Sequence, residues 1–310
     1  MIQTKLDTRS QAAVAATTCL LVLYICMTTI GNSFVCLALY RNRRLWTVTN
    51  LYVLALAIGD IFIATVVFPF SVIASVLREW PFNHNFAQFH GYITYVWGGV
   101  SIYILVLTAI NRYFCVVRPQ RYHFLFTKKK AVISIVFVVI FTLASGLLAT
   151  FTLPVIYIWH PNSLYCSSNS TTNRNENIMC FSFLGFYVTL PMSFISYCYN
   201  NVFIAVRRHN NAVVPSLQSN PSNASNRAEE IRTSRVLFAA VVGFSICWLP
   251  TNIIGVLNKG LHLPLPPFAF TIYPMFAFAS SWINPIIYGV MNRAMRKEVL
   301  KMLGSRKETA

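Results

Sequence analysis

The chain reads as an all-α membrane protein: a seven-transmembrane helix bundle with a short amphipathic C-terminal helix. Three observations predict it. Of 310 residues, 56% are hydrophobic and 15% aromatic, while only 11% are charged, a composition too apolar for a soluble domain. The apolar residues gather into seven runs, each long enough to cross a bilayer, for which about 20 residues suffice. The basic residues fall in short clusters between the runs, as membrane topology demands. That distribution reads the net charge of +17 as membrane topology and leaves no nucleic-acid partner.

The spans lie at about 12–40, 48–77, 86–116, 131–157, 180–206, 229–257 and 266–289, in one domain covering 1–310. The first is followed by Arg41-Asn-Arg-Arg44. Pro69 in the second should kink it toward its far end. Trp80 follows at an interfacial position. The loop 159–179 is rich in Asn, Ser and Thr. It contains Asn169-Ser-Thr171, a glycosylation acceptor if luminal. Pro215 to Ser225 has a disordered composition. Segment 292–303 puts Met295, Val299 and Met302 on one face and bases on the other, as a helix lying on the membrane would. Residues 1–11 are polar and the run after them is too long for a signal-peptide core.

Seven spans place the two ends of the chain on opposite sides. Twenty Lys and Arg lie on the side of 41–44, 112–130, 207–235 and 293–307, against five on the other. The first side is therefore expected in the cytoplasm, against anionic lipid, and the N-terminus outside.

Few polar residues lie at depth. Asp60 is the one acid deep in a span, where an ionised carboxylate is costly without a partner. A protonated acid in a polar network is the bland alternative. Arg112 ends the third run, where an arginine alone is more often a snorkelling anchor. Six of the eight cysteines lie in or beside apolar runs and suit packing. Cys166 and Cys180 flank the polar loop and could pair if it is extracellular.

Taken in order, the motifs resemble the rhodopsin-like G-protein-coupled receptors along nearly the whole chain. They are Gly31-Asn32, Leu54-Ala-x-x-x-Gly-Asp60, Asn111-Arg-Tyr113, Pro191 with Tyr199, Cys247-Trp-x-Pro250 and Asn284-Pro285-x-x-Tyr288. Each is weak alone; one per expected span, in order, is specific. Local strings around Asn111, Cys247 to Gly255 and Ile287 to Asn292 also resemble melatonin receptors. The resemblance implies a plasma-membrane receptor whose sixth helix moves outward to admit a heterotrimeric G protein. It also brings arrestin and a receptor kinase as partners.

The same resemblance assigns roles. Asn111, Arg112 and Tyr113 would form the G-protein-coupling end of the third span, with Glu230 as inactive-state partner and Tyr199 and Tyr288 as active-state neighbours. Ile102, Pro191 and Phe244 would form the packing switch below Trp248, with Pro250 as a bend. Asp60, Ser101, Ser281 and Asn284 would hold an allosteric sodium ion, a sensible ligand for hard oxygens. No other cofactor is implied.

There are departures. Asn111 replaces the family's acid, which leaves Arg112 dependent mainly on the sixth helix. No Trp lies in the fourth span between Phe141 and Gly146. Ala87 stands where the family carries the cysteine of its common disulfide, so Cys166 and Cys180 are expected to pair within the loop instead.

The pocket implied by resemblance contains Thr94, Tyr95, Gly98, Phe183, Tyr187, Trp248, Thr251, Asn252, Pro274 and Phe278. Thr94 stands where amine receptors carry an acid, and Phe278 where opsins attach retinal. An aromatic, uncharged pocket suits a neutral small molecule; a peptide is the other ligand class. A transporter or channel is the competing reading, but the spans show no internal repeat. No nucleophile–base pair or metal cluster suggests an enzyme.

Overall fold

The computed structural model describes residues 7–153, 155–170, 173–213 and 221–304. Six of its helices are long and apolar enough to cross a membrane: Gln11–Arg41, Val48–Leu77, His84–Val117, Lys128–Thr152, Cys180–Arg208 and Thr233–Asn258. The seventh span is Pro267–Met291. Two internal prolines and the polar Ser280, Ser281 and Asn284 make it the least uniformly apolar of the set. The short helix Arg293–Met302 follows, capped by the Asn292 side chain, which accepts from the Ala294 and Met295 amides. Met295 is buried, and Asn42 of the first loop donates to Glu298 at 3.1 Å.

The spans follow the expected order, with instructive differences at their ends. The fourth helix stops at Thr152, not 157. Leu153 is extended, as a residue preceding a proline prefers. Val155–His160 then forms strand β1, antiparallel to β2, Tyr165–Ser170. The fifth and sixth helices extend beyond the apolar runs, to Val213 and back to Pro221. Most of Pro215 to Ser225 lies outside the described residues or has no described side chain.

Prolines explain the local irregularities. Pro69 cannot donate to the helix ladder, and the helix answers with a widened turn over Ile63–Val67. Pro191 is preceded by the same device over Leu184–Thr189. Such widened turns absorb the ring clash without ending the helix.

Small residues let the helices close up, the expected route where lipid offers no hydrophobic drive. At Gly31 a Cβ would come 2.9 Å from the Pro285 ring, so the first and seventh spans meet there. Asn32 seals this contact, donating to Thr28 O and Ser281 O, each at 2.9 Å. At Gly59 a Cβ would overlap the Trp97 ring at 1.3 Å, which joins the second and third spans. Gly146, in the region without tryptophan, lies against Val96 and Tyr92. Tyr92 donates to Leu143 O at 2.7 Å and so ties the third span to the fourth.

At the N-terminal end of the bundle, called outer after the orientation expected from charge, an ionic clasp joins the first and second spans. Arg9 donates to both Asp7 oxygens, at 2.9 and 2.7 Å, and to Thr17 Oγ1 at 3.2 Å. Arg78 takes the left-handed conformation, φ 63°, at the end of the second helix. Its guanidinium donates to Arg9 O and lies 3.9 Å from Asp7. Burial pushes the Asp7 carboxyl up, but hydrogen bonds and charge from Arg9, with the charge of Arg78, outweigh it and hold the group below its ordinary 3.8. A depressed carboxyl stabilises the fold above its unfolded value, and the gain is lost as pH falls through the folded value. The thermal midpoint of the purified protein is expected to fall on acidification below about pH 4. Asp7→Asn should remove that component; an unchanged acid limb in the variant would show that the clasp contributes nothing.

Candidate functional site

Two sites stand at opposite ends of the bundle. The outer one is a cavity of about 220 Å³ between the third, fifth, sixth and seventh spans, roofed by the hairpin. Of the expected pocket, Thr94, Tyr95, Gly98, Phe183, Trp248, Thr251, Asn252, Pro274 and Phe278 line it. Tyr187 does not. Its hydroxyl pairs with Ser145 at 2.6 Å, and it borders a smaller adjoining space with Ile102, Met192 and Phe244. Among the described residues, no acidic or basic side chain lines the main cavity. Hydroxyls, amides and rings do.

Trp248 lines both this cavity and the smaller space beside it. It packs against Gly98, where a Cβ would come 2.6 Å from its ring. Its indole donates to Ser280 Oγ at 3.3 Å, and Phe244 stacks below at 5.6 Å. Asn252 Nδ2 donates to Trp248 O at 2.9 Å, which leaves its carbonyl oxygen for other use. Ile102, Pro191 and Phe244 are each buried, and Ile102 and Phe244 border the smaller space together with Trp248.

Sequence reasoning missed the roof. Tyr157, Tyr165, Cys166, Ser167 and Ser168 of the hairpin line the cavity, as do Tyr273 and Asn258. The alternation of β-branched and aromatic residues in Val155 to His160 was the available signal.

The expected Cys166–Cys180 bond is not formed. Cys166 is a fully buried thiol beside Trp159 in the hairpin. Cys180 instead directs its sulfur to Gly255 O, 3.5 Å away at the end of the sixth span. The strand pairing that buries Cys166 faces it toward the third span. Asn169 pairs with Ile156 through its backbone; its side chain lies outside the described residues.

Midway down, Asp60 is buried and faces Ser281, Asn284 and the indole N–H of Trp97. Close in space, these donors still leave Asp60 Oδ2, Asn284 Oδ1 and Trp97 Nε1 without a hydrogen-bond partner. Two orphaned acceptors beside the buried Ser281 suit a hard cation or a proton, and the buried Ser101 lines the main cavity together with Ser281. Trp97, overlooked in the sequence, narrows that space from the side of Gly59.

The inner site centres on Arg112, which is 2% exposed. Its Nε and Nη2 donate to Asn111 Oδ1 at 3.2 and 2.7 Å, and Nη2 also donates to Thr49 Oγ1. Thr49 in turn donates to Asn111 Oδ1 at 2.9 Å, and Asn111 Nδ2 donates to Tyr122 Oη at 3.4 Å. Beside the sixth-helix partner expected for it, Arg112 thus has acceptors on the second and third spans. The second span and the neighbouring amide hold it, because an amide oxygen accepts from arginine as a carboxylate does, without the charge. The Glu230 side chain lies outside the described residues. Tyr113 lies tilted against Tyr197, with ring centroids 6.1 Å apart. Tyr199 and Tyr288 are both buried, and their hydroxyls have no hydrogen-bond partner.

Comparison with known proteins agrees with this arrangement. The family model for the "7 transmembrane receptor (rhodopsin family)" matches residues 31–288. The chain is 26% identical to mouse neuropeptide Y receptor type 6 over 286 residues, covering 88% of this chain and 76% of that protein. It is 25% identical to Xenopus laevis melatonin receptor type 1C over 303 residues, covering 96% and 70% respectively. It is 27% identical to mouse melatonin receptor type 1B over 282 residues, covering 88% and 74%. The crystal structure of squid rhodopsin superposes with a TM-score of 0.83 at 23% identity, over 96% of this chain and 87% of that one. With its seven spans, its buried arginine and its roofed outer cavity, the chain belongs to the rhodopsin family of seven-transmembrane receptors, a multi-pass membrane protein and not an enzyme.

Proposed function

We propose that the protein is a plasma-membrane receptor for an uncharged, aromatic small molecule, with its N-terminus outside. The cavity carries the reading: its described lining offers rings, hydroxyls and amides but no charge. Such a lining discriminates by hydrogen bonds and shape, and would leave an amine or carboxylate unpaired. The melatonin receptors among its relatives support this class. The neuropeptide Y receptor relatives favour a peptide as the second reading. Ligand entry would displace Trp248 against Gly98 and repack Ile102, Pro191 and Phe244 beneath it. The sixth span, bent at Pro250, would then swing outward and admit a heterotrimeric G protein.

The unpartnered Tyr199 and Tyr288 hydroxyls supply a driving force. A buried hydroxyl without a partner costs about 1–3 kcal/mol. Movement toward Arg112 or water would recover it. The Thr49–Asn111–Arg112 cluster opposes the movement, aided by Glu230 if it reaches the same arginine. Arrestin and a receptor kinase would act on the same open face, and the basic side would rest on anionic lipid.

Nucleotide exchange on a panel of G proteins, read against a library of neutral aromatic compounds, tests the receptor reading. Exchange above basal with at least one compound is expected; solute flux without exchange would favour a transporter. In the same assay Thr49→Ala and Glu230→Ala should each raise basal exchange roughly tenfold or more, since a hydrogen bond to a charged group is worth about 1.5–3 kcal/mol. Asn111→Asp should lower it. Unchanged basal exchange in Thr49→Ala would remove the neutral lock.

Sodium is the ion we assign to Asp60, Ser101, Ser281 and Asn284. Replacing sodium by choline at constant ionic strength should lower the thermal midpoint of the wild type and leave Asp60→Asn unmoved. Equal midpoints in both salts would mean that a proton alone occupies the site.

A further inference from the structure

The hairpin roofs the cavity, yet Ala87 offers no thiol to tie it to the third span. Its anchoring is instead visible in polar contacts one and three residues on. Gln88 Nε2 donates to Tyr157 O at 2.8 Å, and Gln88 Oε1 accepts from Tyr157 N at 2.9 Å. The side-chain amide thereby pairs with the outward edge of β1 as a third strand would, using both groups that β2 leaves free. His90, 1% exposed, accepts from Cys166 N at Nδ1, 3.5 Å, while Nε2 lies 3.2 Å from Ser71 Oγ. This arrangement links β2, the third span and the second span through one ring. Trp80 stacks on Trp159 at 5.8 Å and meets His90 edge-on at 5.1 Å. Gly91 permits the approach: a Cβ there would come 2.4 Å from the Tyr157 ring.

We propose that Gln88, seconded by His90, is a positioning residue that holds the extracellular hairpin over the ligand cavity without a covalent bond. Its consequence for ligand capture rests on the receptor reading above, but the anchoring itself is measurable with no ligand and no G protein. The anchor is accordingly indifferent to reductant. It also presents Tyr157, Cys166, Ser167 and Ser168 to the cavity in one register. Ala87 and Cys166 are both fully buried in the same apolar cluster, so a thiol at 87 has a partner within the cluster to pair with.

Hydrogen exchange of the purified full chain, followed over peptides covering 155–170, tests the proposal. Wild-type protection should be equal with and without a phosphine reductant. Gln88→Ala should speed exchange of the hairpin roughly tenfold or more, the effect of losing two hydrogen bonds, and leave the first and seventh spans unchanged. Gln88→Glu, which keeps the acceptor for Tyr157 N–H, should fall between and serves if Gln88→Ala does not fold. Adding Ala87→Cys to Gln88→Ala should restore protection, and reductant should abolish the restoration. Loss of wild-type protection in reductant would reveal a covalent anchor and overturn the proposal. Wild-type exchange rates in both Gln88 variants would overturn it as well.

Discussion

A guanidinium buried at the inner end of the third span must find acceptors, and the rest of the inner face is arranged to supply them. Arg112 is nearly inaccessible, and Asn111 and Thr49 both present oxygens to it. A buried arginine cannot shed its charge, so each acceptor withdrawn is costly. The second and third spans are therefore held together at this point by the need to satisfy one charge. Asn111 accepts three hydrogen bonds through one oxygen, which lets a neutral side chain do what an acid does elsewhere. A neutral acceptor binds the guanidinium less tightly than a carboxylate would. In the proposed receptor the balance between held and released arginine would thus lie closer to even, where small changes at the outer end could tip it.

The same economy of polar groups runs up the bundle axis. Lipid offers no hydrogen-bond partner, so polar side chains turn inward and meet each other. Asn32 spans from its own helix to Ser281 O in the seventh. Asp60, Ser281, Asn284 and Trp97 converge midway. Trp248 reaches Ser280. Each of these joins helices distant in sequence, and each leaves few spare donors. Among the described residues, side-chain atoms of Asp60, Asn284, Tyr199 and Tyr288 are buried without a hydrogen-bond partner. Incomplete satisfaction at these positions would suit the two-state receptor proposed above, because neither state would then hold every bond.

The outer face solves a different problem. A hairpin over the cavity has exposed strand edges and must be registered against the helices below. Gln88, His90, Trp80 and Gly91 do this with amide pairing, one imidazole, stacked rings and a missing Cβ. The ionic clasp of Asp7, Arg9 and Arg78 holds the neighbouring corner. The cavity between them is closed by contacts rather than by a covalent strap.

Hydropathy alone determined the number, order and approximate extent of the spans, because a bilayer tolerates only helices with their backbone groups satisfied internally. Charge asymmetry suggested their direction, and single residues at fixed places, from Asn32 to Tyr288, marked the family. What sequence could not reach was pairing between distant segments. The loop at 159–179 hid a strand pair because a short alternating run beside a span reads as more helix. Cys166 and Cys180 shared a loop in sequence but face different helices in space. Thr49 carried no motif, yet it holds Arg112; Trp97 carried none either, yet it faces Asp60. Gln88 was one polar residue near a helix start until β1 lay against it. In each case the decisive quantity is a distance across the bundle, which only the packing of helices against one another creates.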